Sequence, residues 1–151
     1  VAFGNVERVK AVGGEFEIEG QWNSGYAARG SYGFVSARDQ ETDQGLDYSP
    51  RHLVKLNLTA PLYLKKVFAG LEVQGVSRRE FTHHGAQVAS PGYLVSNATL
   101  SSTGLLPGLE ASFSIYNLLD RRLEDPATTD HVQSLIPQDG RTYRLLFSYR
   151  F

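Results

Sequence analysis

Glu15-Phe16-Glu17-Ile18-Glu19-Gly20-Gln21-Trp22 alternates with a period of two: Phe16, Ile18 and Trp22 fall on one side of an extended chain, Glu15, Glu17, Glu19 and Gln21 on the other. Such a segment is a strand with two dissimilar faces. A turn at Asn23-Ser24-Gly25 leads into residues 26–38, where Ala28, Tyr32 and Phe34 alternate with Arg29, Ser31 and Gly33, so the two segments are expected to pair as a hairpin.

The same pattern continues along the chain. Residues 52–60 set Val54, Leu56 and Leu58 against Lys55, Asn57 and Thr59; after a turn containing Pro61, residues 66–78 set Val67, Ala69, Leu71 and Val73 against Glu72 and Gln74. Residues 93–101 offer Leu94, Ala98 and Leu100 opposite Asn97 and Thr99. A turn at Leu105-Leu106-Pro107-Gly108 joins them to Leu109, Ala111, Phe113 and Ile115, which oppose Glu110, Ser112 and Ser114. Finally Tyr143, Leu145, Phe147, Tyr149 and Phe151 alternate with Arg144, Leu146, Ser148 and Arg150. Seven strands result, or eight if residues 1–7 add a partial one.

Connections alternate in length. Those near 23–25, 61–65 and 103–108 are short; those at 39–51, 80–92 and 118–141 are long and polar. Short turns on one rim and long loops on the other are the habit of membrane β-barrels, whose short turns are periplasmic. Trp22, Tyr26, Tyr63, Tyr149 and Phe151 fall by the short-turn rim and Tyr93, Tyr116 and Tyr143 toward the long-loop rim, which predicts two aromatic girdles. The opposite face carries Glu15, Glu17, Glu19, Arg29, Lys55, Glu72, Glu110, Arg144 and Arg150, a charge density that a wet lumen tolerates and hydrocarbon does not. A soluble lipocalin-like binding protein would be the reverse, apolar inside and charged outside.

Composition narrows the function. Among the 151 residues, 15 Lys and Arg stand against 16 Asp and Glu, a balance that gives no broad attraction to nucleic acid. Without cysteine there is no disulfide, thiolate metal site or thiol nucleophile. No apolar run is long enough for a spanning helix. The chain starts without the basic and apolar stretches of a secretory signal and reads as a fragment of a longer protein.

At Tyr116-Asn117-Leu118-Leu119-Asp120-Arg121-Arg122 the sequence resembles the closing segment of TonB-dependent outer-membrane receptors, with their N-L-x-D-[RK]-x signature. Ser49-Pro50-Arg51-His52, Pro91-Gly92-Tyr93 and Gly14-Glu15-Phe16-Glu17 support the resemblance in the family's order; Leu123 departs where an aromatic often stands. The last strand, with Tyr143, Leu145, Phe147, Tyr149 and the terminal Phe151, resembles the signal read by the barrel assembly machinery.

The resemblance implies an all-β, antiparallel, up-and-down transmembrane barrel segment in the bacterial outer membrane. Residues 1–151 would be the C-terminal portion of a barrel of about 22 strands, with the plug domain and earlier strands elsewhere. It further implies uptake of a metal chelate such as a ferric siderophore or cobalamin. The implied partners are outer-membrane lipid, the rest of the barrel and plug, and the TonB energy-coupling complex reached through the missing N-terminal part. A self-contained small outer-membrane barrel with an anchoring or adhesive role is the alternative, and the lipocalin-like protein the second.

The remaining chemistry is sparse. His83-His84 could contact a metal or a metal chelate, but neighbouring histidines on a loop are more often solvated. The run Asp39-Gln40-Glu41-Thr42-Asp43-Gln44-Gly45 has the alternate oxygens of a calcium loop, with its glycine one position late and Pro50 where the bidentate Glu belongs. Ser101, Ser102, Asp130 and His131 lack any hydrolase spacing, so neither an enzyme nor a cofactor is expected. The sequons at Asn57 and Asn97 lie inside expected strands. Asp120, Arg121 and Arg122 are expected to close their loop through charge-assisted hydrogen bonds.

Overall fold

Alternation becomes architecture through register. In a computed structural model, which describes residues 8–40 and 45–151, eleven strands follow in order: β1 (Val9–Gln21), β2 (Ala27–Asp39), β3 (His52–Tyr63), β4 (Val67–Val76), β5 (Arg79–His83), β6 (Ala86–Ser90), β7 (Tyr93–Leu106), β8 (Leu109–Tyr116), β9 (Glu124–Pro126), β10 (Leu135–Pro137) and β11 (Thr142–Tyr149). Seven of them make one antiparallel sheet in the order β1-β2-β3-β4-β7-β8-β11. The sheet is open, a segment of wall that fits within a larger barrel. Residues 1–7, to which a partial strand was ascribed, and Glu41 and Asp43 of the calcium-like run lie outside the described residues.

Paired residues share a face, so the ladder tests the expected faces directly. One row reads Ala28, Leu58, Leu71, Ala98, Ile115 and Tyr143 across six strands; the adjoining row reads Glu19, Arg29, Asn57, Glu72 and Asn97 across five. A one-residue slip of β2, β4 or β11 can drop Arg29, Glu72 or Arg144 into the apolar row. The polar face is not wholly polar, since Leu53, Val95 and Leu146 lie on it.

Two short connections differ from expectation: β7 runs on through Leu105 and Leu106, leaving Pro107-Gly108 as its turn, and the β3–β4 turn is displaced. Pro61 is inside β3, not in the turn. It pairs with Phe68 at a register shift, beyond the last β2–β3 pair at Ala27 and Thr59, so its missing N–H breaks no ladder bond to β2. The turn itself is Leu64-Lys65, with both residues at positive φ (47° and 52°), the twist a two-residue hairpin demands. The Lys65 ammonium donates to the Asn23 carbonyl at 2.7 Å and ties neighbouring turns together.

The long connections hold more structure than a polar composition suggested. Residues 80–92 fold largely as the β5–β6 hairpin, turning at His84-Gly85 with φ of 49° and 80°. Residues 118–141 contain the short β9–β10 pair. Among the described residues the buried apolar side chains are Val76, Phe81 and Ala127, and the last two sit in these connections with no exposure at all. The sheet has no core of its own because both faces are open. What is enclosed lies beyond the strand ends, in a cap.

Candidate functional site

Two surfaces position the functional groups: the charged face and the cap above it. On the charged face Arg29 reaches diagonally past its direct partner Glu19 to place Nη2 2.9 and 3.0 Å from the two carboxylate oxygens of Glu17. Asn97 donates to Glu72 at 3.1 Å, and the hydroxyls of Thr99 and Ser114 meet at 2.9 Å. This is a polar, hydrogen-bonded face.

The opposite face is apolar between two belts. Trp22, Tyr26, Tyr63 and Tyr149 stand exposed at the short-turn end. At the far end the belt is Tyr32, Phe34, His52 and Tyr143, with the Tyr32 hydroxyl 2.7 Å from His52 Nδ1 and the Phe34 and His52 rings 5.3 Å apart. Tyr93 and Tyr116, expected here, belong to the other face: Tyr93 pairs with Val76, Tyr116 with Thr142, and the Arg79 guanidinium lies 5.9 Å from the centre of the Tyr93 ring. Alternation itself sets Tyr93 opposite Leu94 and Tyr116 opposite Ile115, so height along the strand alone does not make a girdle residue. From Tyr26 to Phe34 the chain climbs ~27 Å, or ~20 Å along the membrane normal at a tilt of ~40°, close to the band height of a membrane barrel.

The cap joins three connections. Arg79, whose side chain is 13% exposed, is bonded to the Asp125 carboxylate and donates to the Ser90 hydroxyl at 3.3 Å, while Ser90 Oγ donates to the Glu124 carbonyl at 2.7 Å. These bonds fix the β5–β6 hairpin to β9. On its other side the Thr82 amide donates to Asp47 at 2.8 Å, the Tyr48 amide to the Glu80 carbonyl at 3.1 Å, and the Tyr48 ring stacks on Phe81 at 5.1 Å. A cavity of about 550 Å³ opens between the cap and the upper ends of β2 and β3, lined among others by Asp47, Arg51, His52, Arg78, Glu80 and Gln87. Its lining carries both signs of charge, suited to a polar ligand with donors and acceptors.

The signature segment closes this loop. Asn117 and Asp120 take positive φ (50° and 51°), which Asn and Asp tolerate better than most residues. Asn117 clasps Arg121 twice, its Nδ2 donating to the carbonyl at 2.8 Å and its Oδ1 accepting from the amide at 2.9 Å. Asp120 Oδ1 accepts from the Arg141 amide at 2.8 Å, joining the two ends of the excursion, and Arg122 pairs with Glu124 at 3.0 Å. Leu118 donates to the Ser96 carbonyl at 2.7 Å and Leu119 is exposed.

The last strand ends at Tyr149; Tyr143, Leu145, Phe147 and Tyr149 share the apolar face, and Phe151, expected within the strand, lies beyond it fully exposed. His83 is not on a loose loop: it ends β5 and is 5% exposed, with His84 at the turn. Ser101 and Ser102 lie in β7 against Ser112 and Ala111, whereas His131 donates its amide to Thr128 in the cap. Arg79, Asp125, Tyr48 and Phe81 escaped sequence reasoning. Alternation through Arg79-Glu80-Phe81-Thr82-His83, followed by His84-Gly85, is a short hairpin pattern that could have placed Arg79 and Phe81 in a strand; no local pattern marks Tyr48 or Asp125.

Comparison with known proteins gives a consistent picture. A family model described as TonB dependent receptor-like, β-barrel, matches residues 2–118. No curated protein sequence matches. Among solved structures, the pyoverdine outer membrane receptor FpvA of Pseudomonas aeruginosa superposes over 96% of this chain and 22% of its own, with TM-score 0.83 and 16% identity. The ferric-catecholate import receptor Fiu of E. coli K12 superposes over 95% and 21%, with TM-score 0.79 and 18% identity, and the copper transporter OprC over 95% and 24%, with TM-score 0.74 and 17% identity. The chain therefore spans about a fifth to a quarter of the length of these proteins.

Proposed function

Because this chain belongs to the TonB-dependent receptor β-barrel family, we propose that it forms the C-terminal wall and part of the outer vestibule of a bacterial outer-membrane transporter that takes up a metal chelate. The observation that carries this reading is the two-faced open sheet: an unbroken apolar row between aromatic belts on one side, and the Glu19–Asn97 row of charged and amide groups on the other. Lipid suits the first face, and a water-filled lumen holding a plug suits the second. Names among the similar structures, siderophore receptors and a copper transporter, favour a chelated metal as cargo.

In this reading the strands are wall, the short turns are periplasmic, and the cap of residues 45–51, 79–90 and 118–141 is the extracellular surface that meets the ligand first. Tyr143, Leu145, Phe147, Tyr149 and Phe151 present an assembly signal to the barrel assembly machinery. The TonB complex acts through a plug carried by the rest of the receptor. Asn117, Asp120 and Arg121 hold the vestibule loop in shape without touching cargo. No catalytic role is assigned.

Uptake of a panel of radiolabelled ferric siderophores and cobalamin, in cells whose sole chelate receptor is the parent protein, tests the proposal. Accumulation of one chelate that stops on loss of TonB or on collapse of the proton-motive force is the expected result. Binding of every chelate at background, with the receptor correctly inserted, overturns it. An anchoring barrel predicts instead that residues 1–151 alone refold in detergent to a heat-modifiable band; the open sheet predicts that they do not.

A further inference from the structure

We infer that the cap contains a binding site for a bare divalent transition-metal ion, built from the Nε2 atoms of His83 and His84 and the main-chain carbonyl oxygen of His131. It serves as a clip between the β5–β6 tip and the excursion that follows β8, not as a cargo site, and it stands whether or not the receptor carries a chelate.

Three observations carry it. The two Nε2 atoms lie 3.0 and 3.2 Å from the same oxygen, although they come from adjacent residues whose side chains an extended strand would send to opposite faces. The left-handed conformation of His84 (φ 49°) at the hairpin turn undoes that divergence and brings the rings to 4.4 Å, edge to face. His83 is 5% exposed, so its imidazole is held in place and not free to rotate away into solvent.

The distances match a coordination edge. Two donors each ~2.1 Å from one ion and ~95° apart are ~3.1 Å from one another, and both nitrogen–oxygen separations fall at that value. Without metal, each Nε2–H donates to the carbonyl. With metal, each neutral ring moves its proton to Nδ1 and turns the Nε2 lone pair to the ion, so no net proton is released. Among the described residues no three His, Cys, Asp or Glu side chains converge; the third donor is main-chain, and solvent completes the shell. Two imidazoles and carbonyl oxygen favour Cu²⁺ over Ni²⁺ or Zn²⁺ and exclude Mg²⁺.

This donor set makes an asymmetric prediction, because His131 contributes its backbone and not its ring. Cu²⁺ titration of the intact receptor in detergent, followed by calorimetry and electron paramagnetic resonance, should show one site with two-nitrogen hyperfine coupling. His84→Ala, at an exposed position, should weaken that site at least about tenfold, the loss that outer-shell partners alone already produce. His131→Ala should leave the affinity within about twofold, and His83→Gln should reduce the spectrum to one nitrogen or none. Unchanged affinity in His84→Ala, a three-nitrogen spectrum, or loss of the site in His131→Ala overturns the assignment.

Discussion

Leu56 and Asn57 are neighbours in β3 and point to opposite faces, so introducing the same cation at each measures the wall's polarity. Leu56 pairs with Gly30, which lies four residues from Tyr26 and four from Phe34, placing it midway between the two aromatic belts. An arginine at the midplane of a lipid-facing strand costs about 2–4 kcal/mol, falling toward zero near the interfaces. Leu56→Arg should lose that amount. Asn57→Arg adds a cation between Glu72 and Arg29, the latter already held by Glu17; attraction to Glu72 offsets the cross-strand repulsion on a solvent-exposed face, so its cost should stay below about 1 kcal/mol. Equilibrium refolding of the intact receptor into lipid vesicles, followed by gel mobility shift and protease protection, reads both. Equal costs would mean that neither face meets lipid, and a greater cost at Asn57 would reverse the orientation of the sheet.

Phe81→Ala should cost the cap about 3–5 kcal/mol, since the ring is completely enclosed; amide exchange should quicken across β5, β6 and β9 while β1–β4 keep their protection. Asp125→Ala strands the Arg79 guanidinium and should loosen the same region by about 2–4 kcal/mol, less than a fully buried pair because Asp125 is 35% exposed; limited proteolysis within residues 118–141 checks it. Asp120→Ala removes the acceptor of the Arg141 amide and the residue suited to positive φ, at about 1–2 kcal/mol, whereas Asp120→Asn should recover most of it. Glu17→Gln should leave the unfolding midpoint of the receptor unchanged in a denaturant titration, because the pair with Arg29 is solvent-exposed.

The wall was legible in the sequence because a membrane strand carries its whole environment in its alternation. Each of Phe16, Tyr32, Val54, Leu71, Phe113 and Leu145 announces its face locally, and register follows once the charged residues are kept together. The pairing of Arg79 with Asp125 announces nothing, since 46 residues separate them. Leu64-Lys65 is a turn that neither residue favours; the flanking strands and the Lys65 bond to Asn23 impose it. Tyr93 shows a different failure: its height on the strand suggested a girdle, while its alternation with Leu94 set it on the polar face.

Because the enclosed side chains lie above the strands and not between two layers, the molecule divides into three mutational compartments. In the proposed orientation Leu56 would sense the bilayer, Glu72 the aqueous interior and Phe81 the cap, the first two pointing to opposite faces of the sheet. Substitutions drawn from different compartments should combine additively, within the few tenths of a kcal/mol seen for distant sites. A receptor wall organised in this way can change its outer surface repeatedly while the sequence that holds it in the membrane stays fixed.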